Sequence, residues 1–321
     1  MRDVLSPFLL VATALIWGGA FLAQKEGGTY LGPFAFTVAR SLLGGIALLG
    51  VLAVRRACGV RAPHADEPGY WRNVLLGGFG SGFWLFVASM FQQTGLQTTL
   101  PGVSAFLTTT YVLLVPLLGI FAGRAPRAFI WPMALLAVAG LHHICIPGGA
   151  AFAPSIGRGE GLTLAGAFLF AVQILVVDRY AYRTDVVAMT CVQFFTGALL
   201  GLPFLLLPAE SARLALGNLR PALPAIVFCG VISSGVAYTL QNMAQARTPP
   251  AVAALLLSLE SVFAALFGYF IRHDVLAPRQ VAGCGLVFLA VAASQILDIV
   301  VPRKQRPPLR GAPSAPEAPS P

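Results

Sequence analysis

Residues 33–54 are PFAFTVARSLLGGIALLGVLAV, a long apolar run with a single charged side chain, Arg40. A helix needs roughly 20 apolar residues to cross the hydrocarbon core of a bilayer, and this run has that length. Of the 321 residues, 57% are hydrophobic and 10% are charged. A soluble domain carries about 25% charged residues, so this chain has too few charges to cover a water-facing surface. The sequence therefore predicts a membrane protein.

Nine further apolar runs of similar length occur along the chain. Backbone amides inside a bilayer must bond to one another, which leaves helices or closed barrels, and these runs lack the alternation of polar and apolar residues that a barrel strand needs. We therefore expect an all-α polytopic membrane protein with ten transmembrane helices. The expected spans are 6–24, 33–54, 73–95, 102–123, 128–147, 161–180, 185–207, 221–243, 251–271 and 279–300.

The second half of the sequence repeats the first at a nearly constant offset, which is 153 residues early in the chain and 149 later. A unit of five crossings is odd, so its second copy enters the membrane from the opposite face. The fold class we expect is therefore two inverted five-helix repeats, a plan in which transporters bind substrate near the midplane between the halves. The aligned pairs include Thr37 with Thr190, Arg40 with Gln193, Gly44 with Gly197, Gln92 with Gln241, and Tyr111 with Glu260.

The repeat divides the chain into four expected parts. Residues 1–147 form the first five-helix repeat, 148–160 a periplasmic connecting loop, 161–300 the second repeat, and 301–321 a basic, proline-rich cytoplasmic tail. The composition of the tail predicts disorder, because it cannot bury a core. Positive residues favour the cytoplasmic side, and most of the 21 lysines and arginines lie there when both termini are inside. We expect a multi-pass protein of the inner (plasma) membrane in that orientation.

Two charged residues lie well inside the expected spans, away from the span ends, where a charge is costly and calls for an explanation. Glu260, near the middle of the ninth span, is either a packed carboxyl group or an acid that couples transport to protons or contacts the substrate. Arg40, in the second span, either reaches the outer interface or pairs with helix-end carbonyl groups, or it binds an anionic group of the substrate through its planar guanidinium.

Polar side chains at matching depths in the two halves extend this candidate site. A single glutamine inside a membrane protein is more often a contact between helices than a ligand, and Trp17 is equally well explained by packing. Matching positions in both halves nevertheless favour a shared central cavity. The candidate substrate-binding residues are Trp17, Arg40, Gln92, Thr108, Tyr111, Gln173, Gln193, Ser234, Tyr238, Gln241 and Glu260, of which Glu260 is the candidate for proton coupling.

Signals for catalysis, metals and cofactors are missing from the sequence. The five cysteines are scattered along the sequence, and their spacing matches no disulfide or metal-binding motif. This is typical of cysteines that serve as small apolar core residues. The adjacent His142 and His143 point about 100° apart on a helix and cannot share a metal without help. We expect no catalytic residue, no metal and no cofactor. The expected partners are a small-molecule substrate and the lipid bilayer, with no nucleic acid, and a homodimer is left open.

Several motifs resemble the drug/metabolite transporter (DMT) superfamily, in its branch with paired EamA domains. WGGAF at 17–21 is similar to the first-helix pattern of that family, and FTVAR at 36–40 to its second-helix pattern. SLESVFAAL at 258–266 is similar to the SLEPVFAAL of the ninth helix, with Ser261 in place of proline. Asp274 and RQVAG at 279–283 resemble the turn and last helix. The resemblance implies a ten-helix transporter of metabolites with both termini cytoplasmic.

These observations favour a secondary transporter of small organic metabolites or drugs that works by alternating access. The resemblance favours export, and a proton or solute gradient is the expected energy source because the chain has no phosphate-binding loop. A nucleotide-sugar or phosphate-ester antiporter is the first alternative, disfavoured because only Arg40 supplies positive charge at depth. An intramembrane enzyme lacks a catalytic pair. A non-transporting membrane scaffold is the remaining alternative.

Overall fold

The computed structural model describes residues 5–123, 125–145, 157–214, 216–273 and 277–301. Within these ranges the chain is helical and contains no strand. Nine helices in the same ranges are long and apolar enough to cross a membrane. The shorter apolar helix Ile130–Cys145, of 16 residues, is the tenth. The protein is thus an all-α polytopic membrane protein, as the composition and the apolar runs predicted.

We number the ten membrane-spanning helices of the described residues α1 to α10. Several begin with proline at the first helical position, where its missing N–H would have no partner in any case. The bounds are α1 Leu5–Tyr30, α2 Pro33–Ala57, α3 Tyr70–Thr98, α4 Pro101–Thr109 and Tyr111–Phe121, α5 Ile130–Cys145, α6 Arg158–Tyr180, α7 Val186–Gly201, α8 Leu216–Val227, Phe228–Ala237 and Tyr238–Gln245, α9 Pro250–Leu257 and Leu259–Arg272, and α10 Pro278–Val300. The short helix Pro208–Ser211 lies between α7 and α8.

Some expected boundaries need correction. Helix α6 begins at Arg158, so residues 158–160, which the sequence places in the connecting loop 148–160, belong to the sixth helix. The expected seventh span, 185–207, agrees with the structure, in which a 3₁₀ helix, Leu202–Leu206, follows α7. The rest of the loop up to 156, the acidic turn at Asp274 and the tail beyond 301 lie outside the described residues.

Helices α4 and α9 each remain a single span, as the sequence predicted, but the regular α-helical hydrogen-bond ladder of each breaks at one residue near the middle, where the backbone angles stay right-handed helical. The break in α4 is at Thr110 and the break in α9 is at Ser258, which are near-equivalent positions of the two repeats. In α4, Pro116 further weakens the hydrogen-bond ladder because it has no N–H to donate to Val112. In α9, the Ser258 hydroxyl donates to the carbonyl oxygen of Leu255 at 2.6 Å, a side-chain bond that competes with the backbone ladder.

Helix α8 contains a wide π-helical segment, Phe228–Ala237. It follows two prolines inside the helix, Pro221 and Pro224, which remove backbone donors from the preceding turns. Two carbonyl oxygens of this segment accept hydrogen bonds from side chains of α1. Trp17 Nε1 donates to Ser233 at 3.3 Å, and Thr13 Oγ1 donates to Ala237 at 3.2 Å. The irregular segment thus joins the second half of the chain to the first.

The packing of the helices repeats when the two halves are exchanged. Helix α3 of the first half packs against α6 and α7, and the equivalent helix α8 packs against their counterparts α1 and α2. Likewise, α4 packs against α6, and its counterpart α9 packs against α1. The remaining large contacts, α2 with α7 and α5 with α10, join each helix to its own counterpart. This is the pattern that a pseudo-two-fold axis between the halves produces.

The counterpart helices α2 and α7 run antiparallel, so the repeats are inverted. At the end of α2, Arg55 forms an ion pair with Asp185 at the start of α7, with 3.0 Å between Nη2 and Oδ2. At the opposite end, Gly201 of α7 lies so close to Val38 of α2 that a Cβ atom on the glycine would be 2.4 Å from Val38 Cγ2.

Individual contacts also repeat between the halves. Thr13 bonds to the carbonyl oxygen of Ala237, and their equivalents, Gly166 and Ala88, meet in the same way. A Cβ atom on Gly166 would lie 3.1 Å from the carbonyl oxygen of Ala88. Small residues at such positions let two backbones approach closely. The repeat that was read from the sequence is therefore present in the three-dimensional contacts as well.

Candidate functional site

A narrow cavity lies between the two halves at the level of the breaks in α4 and α9. Its empty volume is about 500 Å³. The first half contributes α1, α2, α3 and α4 to its wall, and the second half contributes α6, α8 and α9. The lining residues are Trp17, Phe21, Gln24, Arg40, Gln92, Thr108, Tyr111, Phe170, Gln173, Ile174, Ser233, Tyr238, Gln241 and Glu260.

Most of the candidate residues that we chose from the sequence line this cavity, and two do not. Gln193 is fully buried away from it, where its Oε1 accepts a 3.4 Å hydrogen bond from Asn242. Ser234 lies at the crossing of α2 and α8, where Gly44 approaches its Cβ atom, and Ser233 lines the cavity in its place. The π-helical segment explains the second error, because its wider turn rotates side chains away from the positions that an α-helix would give.

The carboxyl group of Glu260 is the acidic group of the cavity. Its side chain is 3% exposed. Thr109 Oγ1 donates to Oε1 at 3.0 Å, and Tyr111 Oη donates to the same atom at 3.1 Å. Thr109 also shares a 2.8 Å hydrogen bond with Ser261, the residue that replaces the proline of the resembled motif. Among the described residues, Glu260 forms no ion pair, so it can take up or release a proton without breaking one.

The guanidinium of Arg40 is the cationic group of the cavity. It is 6% exposed, so it does not reach the outer interface, which was one of our expectations. Nη1 donates to Gln24 Oε1 at 3.0 Å and Nη2 donates to Ser89 Oγ at 3.1 Å. These partners are neutral side chains rather than helix-end carbonyl groups. Within the described residues no carboxylate pairs with Arg40, which leaves its positive charge available to a ligand.

Three polar atoms of the lining side chains have no hydrogen-bond partner within the described part of the protein. They are Arg40 Nε, Gln173 Nε2 and Gln241 Oε1, two donors and one acceptor. Buried polar groups are normally paired, because an unpaired one costs free energy. By contrast, Gln92 donates from Nε2 to Thr108 Oγ1 at 2.9 Å and is satisfied. The cavity therefore offers both donors and an acceptor to a polar ligand or to water.

An aromatic wall closes one side of the cavity. The rings of Trp17 and Tyr238 have their centroids 4.7 Å apart at 53°, and Phe194 packs edge-on against Tyr238 at 5.4 Å. Trp17 is held by its bond to Ser233. Trp17 and Tyr238 thus both pack and line the cavity, so the two interpretations of Trp17 that the sequence left open hold together.

Some residues of the site were missed from the sequence. Gln24 and Thr109 are hydrogen-bonded to the two charged groups, and Ser89 is the second partner of Arg40. Ser89 is the repeat equivalent of Tyr238 at the offset of 149, a signal that would have found it. Gln24 stands at the end of the predicted first span, which the structure extends to Tyr30.

Comparison with known proteins agrees with this architecture. The model of the EamA-like transporter family matches the chain twice, over residues 5–145 and 157–294. An uncharacterized transporter of Archaeoglobus fulgidus is 27% identical over 288 residues, which cover 88% of this chain and 83% of the relative. The threonine/homoserine exporter RhtA of Escherichia coli is 29% identical over 289 residues, 90% of each chain.

A solved structure supports the fold alone. A crystal structure with 21% sequence identity superposes with a TM-score of 0.72 and covers 91% of this chain and 96% of its own. The match of the family model to both halves confirms the resemblance that the motifs indicated: the chain is a multi-pass membrane transporter and belongs to the EamA-like transporter family.

Proposed function

We propose that this protein is a secondary transporter that exports small zwitterionic metabolites, with neutral amino acids as the substrate class. The observation that carries the proposal is the cavity between the inverted halves, in which Arg40 and Glu260 are both buried and neither belongs to an ion pair of the described residues. One cation and one acid suit a solute that carries one charge of each sign. The relative named a threonine/homoserine exporter agrees with that class and with export.

The polar atoms of the cavity fit the two ends of an amino acid. A carboxylate accepts from the guanidinium of Arg40, whose Nε has no partner among the described residues; charge-assisted bonds of this kind are the stronger ones. Gln173 Nε2 and Gln241 Oε1 also lack partners in the described part of the chain and supply a donor and an acceptor for the remaining polar groups. Trp17 and Tyr238 offer apolar surface to the side chain of the solute.

The inverted halves support alternating access, since transporters with inverted repeats bind substrate near the midplane between them. The two breaks in the hydrogen-bond ladders, at Thr110 and Ser258, lie beside the cavity and are local weak points of α4 and α9. Rocking of one half against the other would open the cavity to each side in turn. The proposed orientation has both termini on the cytoplasmic side of the inner (plasma) membrane.

Glu260 is the proposed site of proton coupling. It faces the cavity, it accepts from Thr109 and Tyr111 at Oε1, and no ion pair within the described residues holds its charge. A proton could therefore enter and leave with the conformational cycle. A phosphate ester is a poorer substrate, because it needs several basic groups and Arg40 is the one cation among the lining residues.

Transport by the purified protein in proteoliposomes tests the proposal. Vesicles preloaded with radiolabelled L-threonine should release it faster than protein-free vesicles, and L-homoserine should compete. 1-Amino-2-propanol, which lacks the carboxylate, and 3-hydroxybutyrate, which lacks the amine, should compete poorly. An Arg40→Gln protein that is folded but inactive is the matched control. Release equal to that of empty vesicles for every neutral amino acid tested would exclude the proposed substrate class.

A further inference from the structure

A second cavity opens at the end of the helical bundle opposite to Leu5 and Val301. Its empty volume is about 850 Å³, and it lies where α2 begins, α3 ends, α6 begins and the segment after α7 folds back. We call it the outer vestibule and define it by five of its lining residues: Gln97, Thr98, Arg158, Glu210 and Arg213. The central cavity and this vestibule share no lining residue.

The outer vestibule holds a buried carboxylate that forms no ion pair with any described residue. Glu210 is 4% exposed. Its Oε2 accepts from the backbone N–H of Ala35 at 2.9 Å, which caps the start of α2 beside Gly32, and Oε1 accepts no hydrogen bond from the described residues. Neither Arg158 nor Arg213 forms an ion pair with Glu210 within the described chain, although all three line one cavity. Buried charges are normally paired. A ligand that carries a positive and a negative group can therefore pair with Glu210 and with the two arginines.

A line of glutamines joins the vestibule to the central cavity. Gln97 lines the vestibule and donates to the backbone oxygen of Gln93 at 3.4 Å. Gln93 donates to the backbone oxygen of Gln24 at 3.1 Å, and Gln24 lines the central cavity, where it accepts from Arg40. Gln93 is 1% exposed, and its Oε1 has no partner among the described residues. A polar path thus runs from the central cavity to the vestibule.

We infer that the outer vestibule is a second binding site for the zwitterion, occupied between the central cavity and the outside. Arg158 and Arg213 bind its carboxylate, and the free Oε1 of Glu210 accepts from its ammonium group. Both signs of charge are present, as in the central cavity with Arg40 and Glu260, but the vestibule has two cations beside its one acid. This inference rests on the proposed function for the class of ligand, while the geometry of the vestibule supplies the site.

A cysteine placed in the vestibule tests the site without depending on transport. Thr98→Cys in right-side-out vesicles should react with a membrane-impermeant maleimide added outside. L-Threonine should slow this reaction. A ligand that covers the thiol slows it about threefold at twice its dissociation constant, because one third of the sites then remain free. 1-Amino-2-propanol, which lacks the carboxylate, should give no protection at the same concentration.

Two double variants identify the residues responsible. In the Thr98→Cys background, Arg158→Gln with Arg213→Gln should abolish protection by L-threonine. Arg179→Gln with Arg183→Gln, at the opposite end of α6 and the turn after it, is the matched control and should retain it. Protection that survives the first pair, or that the amine gives equally well, would overturn the inference. Absence of labelling from outside would do the same.

A third variant separates this site from the central one. Arg40→Gln should leave protection of Thr98→Cys intact, since the vestibule binds by itself. Loss of protection in Arg40→Gln would show that the effect is transmitted from the central cavity, and the vestibule would then not be a site. Protection without threonine transport would refute the proposed export but support the binding site in the vestibule. Transport without protection would refute only the binding site in the vestibule.

Discussion

Tyr111 donates a 3.1 Å hydrogen bond to Glu260, and the two residues are equivalent positions of the inverted repeats. Two positions that a pseudo-two-fold axis exchanges can touch only where they lie beside that axis. The contact therefore places the carboxyl group of Glu260 where the halves meet, next to the breaks in α4 and α9. Any movement of one half against the other changes the surroundings of this group, which is why we propose it as the site of coupling.

The first prediction concerns Glu260→Gln. The amide has nearly the same shape, and its oxygen can still accept from Thr109 and Tyr111, so the protein should fold. It can no longer carry a proton. Efflux driven by a pH gradient should fall at least about tenfold, equivalent to about 1.4 kcal/mol in the barrier, while exchange of internal for external solute continues. Proteoliposome assays with and without the gradient measure both.

Tyr111→Phe is the matched control for that experiment. It removes one hydrogen bond to Glu260 and leaves the carboxyl group with Thr109, so dependence on the gradient should persist. Equal stimulation by the gradient in wild-type protein and in Glu260→Gln would refute proton coupling at this residue and leave it a packed carboxyl group.

The second prediction concerns Arg40→Lys. Lysine keeps the positive charge but lacks the planar fork of the guanidinium. In Arg40 this fork donates to Gln24 and Ser89 together and still leaves Nε for a ligand. The KM for L-threonine should rise about tenfold or more, since hydrogen bonds to charged groups contribute about 1.5–3 kcal/mol. Competition by 1-amino-2-propanol, weak in the wild type, should not change. A KM that is unchanged in a folded variant would mean that the solute does not contact Arg40.

The sequence predicted the membrane class, the number of crossings and the repeat, because each depends on properties summed over many residues. Length and apolarity identify a span whatever the details of its packing. The repeat was weak at any single pair, such as Arg40 with Gln193, but consistent along the chain. Most of the cavity followed from the same symmetry, since Gln92 and Gln241, and likewise Tyr111 and Glu260, are equivalent pairs that do line it.

The irregular backbone could not be predicted in this way. The breaks at Thr110 and Ser258 and the π-helical turns of α8 depend on competition among a few hydrogen bonds, which hydropathy does not register. These local changes decide which side of a helix faces the cavity. They account for Ser234 being replaced by Ser233 as a lining residue. Prolines such as Pro221 and Pro116 were the available signal, and they indicate where a helix is weakened but not how it rearranges.

The third prediction uses two adjacent glycines of α1. A Cβ atom on Gly18 would lie 2.6 Å from Phe263 Cβ and 2.9 Å from the carbonyl oxygen of Glu260, whereas on Gly19 the nearest atom would be 3.6 Å away, in Phe267. Gly18→Ala should therefore destabilise the contact of α1 with α9 by about 1–3 kcal/mol, as overpacking does. Gly19→Ala should be neutral or stabilising, since alanine favours a helix by up to about 1 kcal/mol over glycine. Thermal unfolding in detergent compares the two, and equal melting temperatures would contradict the packing described here.

The fourth prediction concerns Asp185, which both caps α7 and pairs with α2. Its Oδ1 accepts from the backbone N–H of Val187 at 2.9 Å, and its Oδ2 is 3.0 Å from Arg55 Nη2. Asp185→Asn keeps the cap and loses the ion pair, while Asp185→Ala loses both. The alanine variant should be less stable than the asparagine variant by about 1 kcal/mol, the usual contribution of an N-cap. The order of their melting temperatures checks this, and equal melting temperatures, both below that of the wild type, would show that the charge rather than the cap matters.

The fifth prediction concerns the inverted arrangement in the membrane. Cys58 follows α2 and is exposed, and Ala212 follows the seventh crossing and is also exposed. An odd number of crossings separates them, so the two positions must lie on opposite sides. With both termini cytoplasmic, an impermeant maleimide should label Cys58 in inverted vesicles only. In an Ala212→Cys, Cys58→Ser protein it should label residue 212 in right-side-out vesicles only. Labelling of both positions from one side would show that the two repeats are not inverted. A central cavity formed between two inverted halves would then be excluded as well.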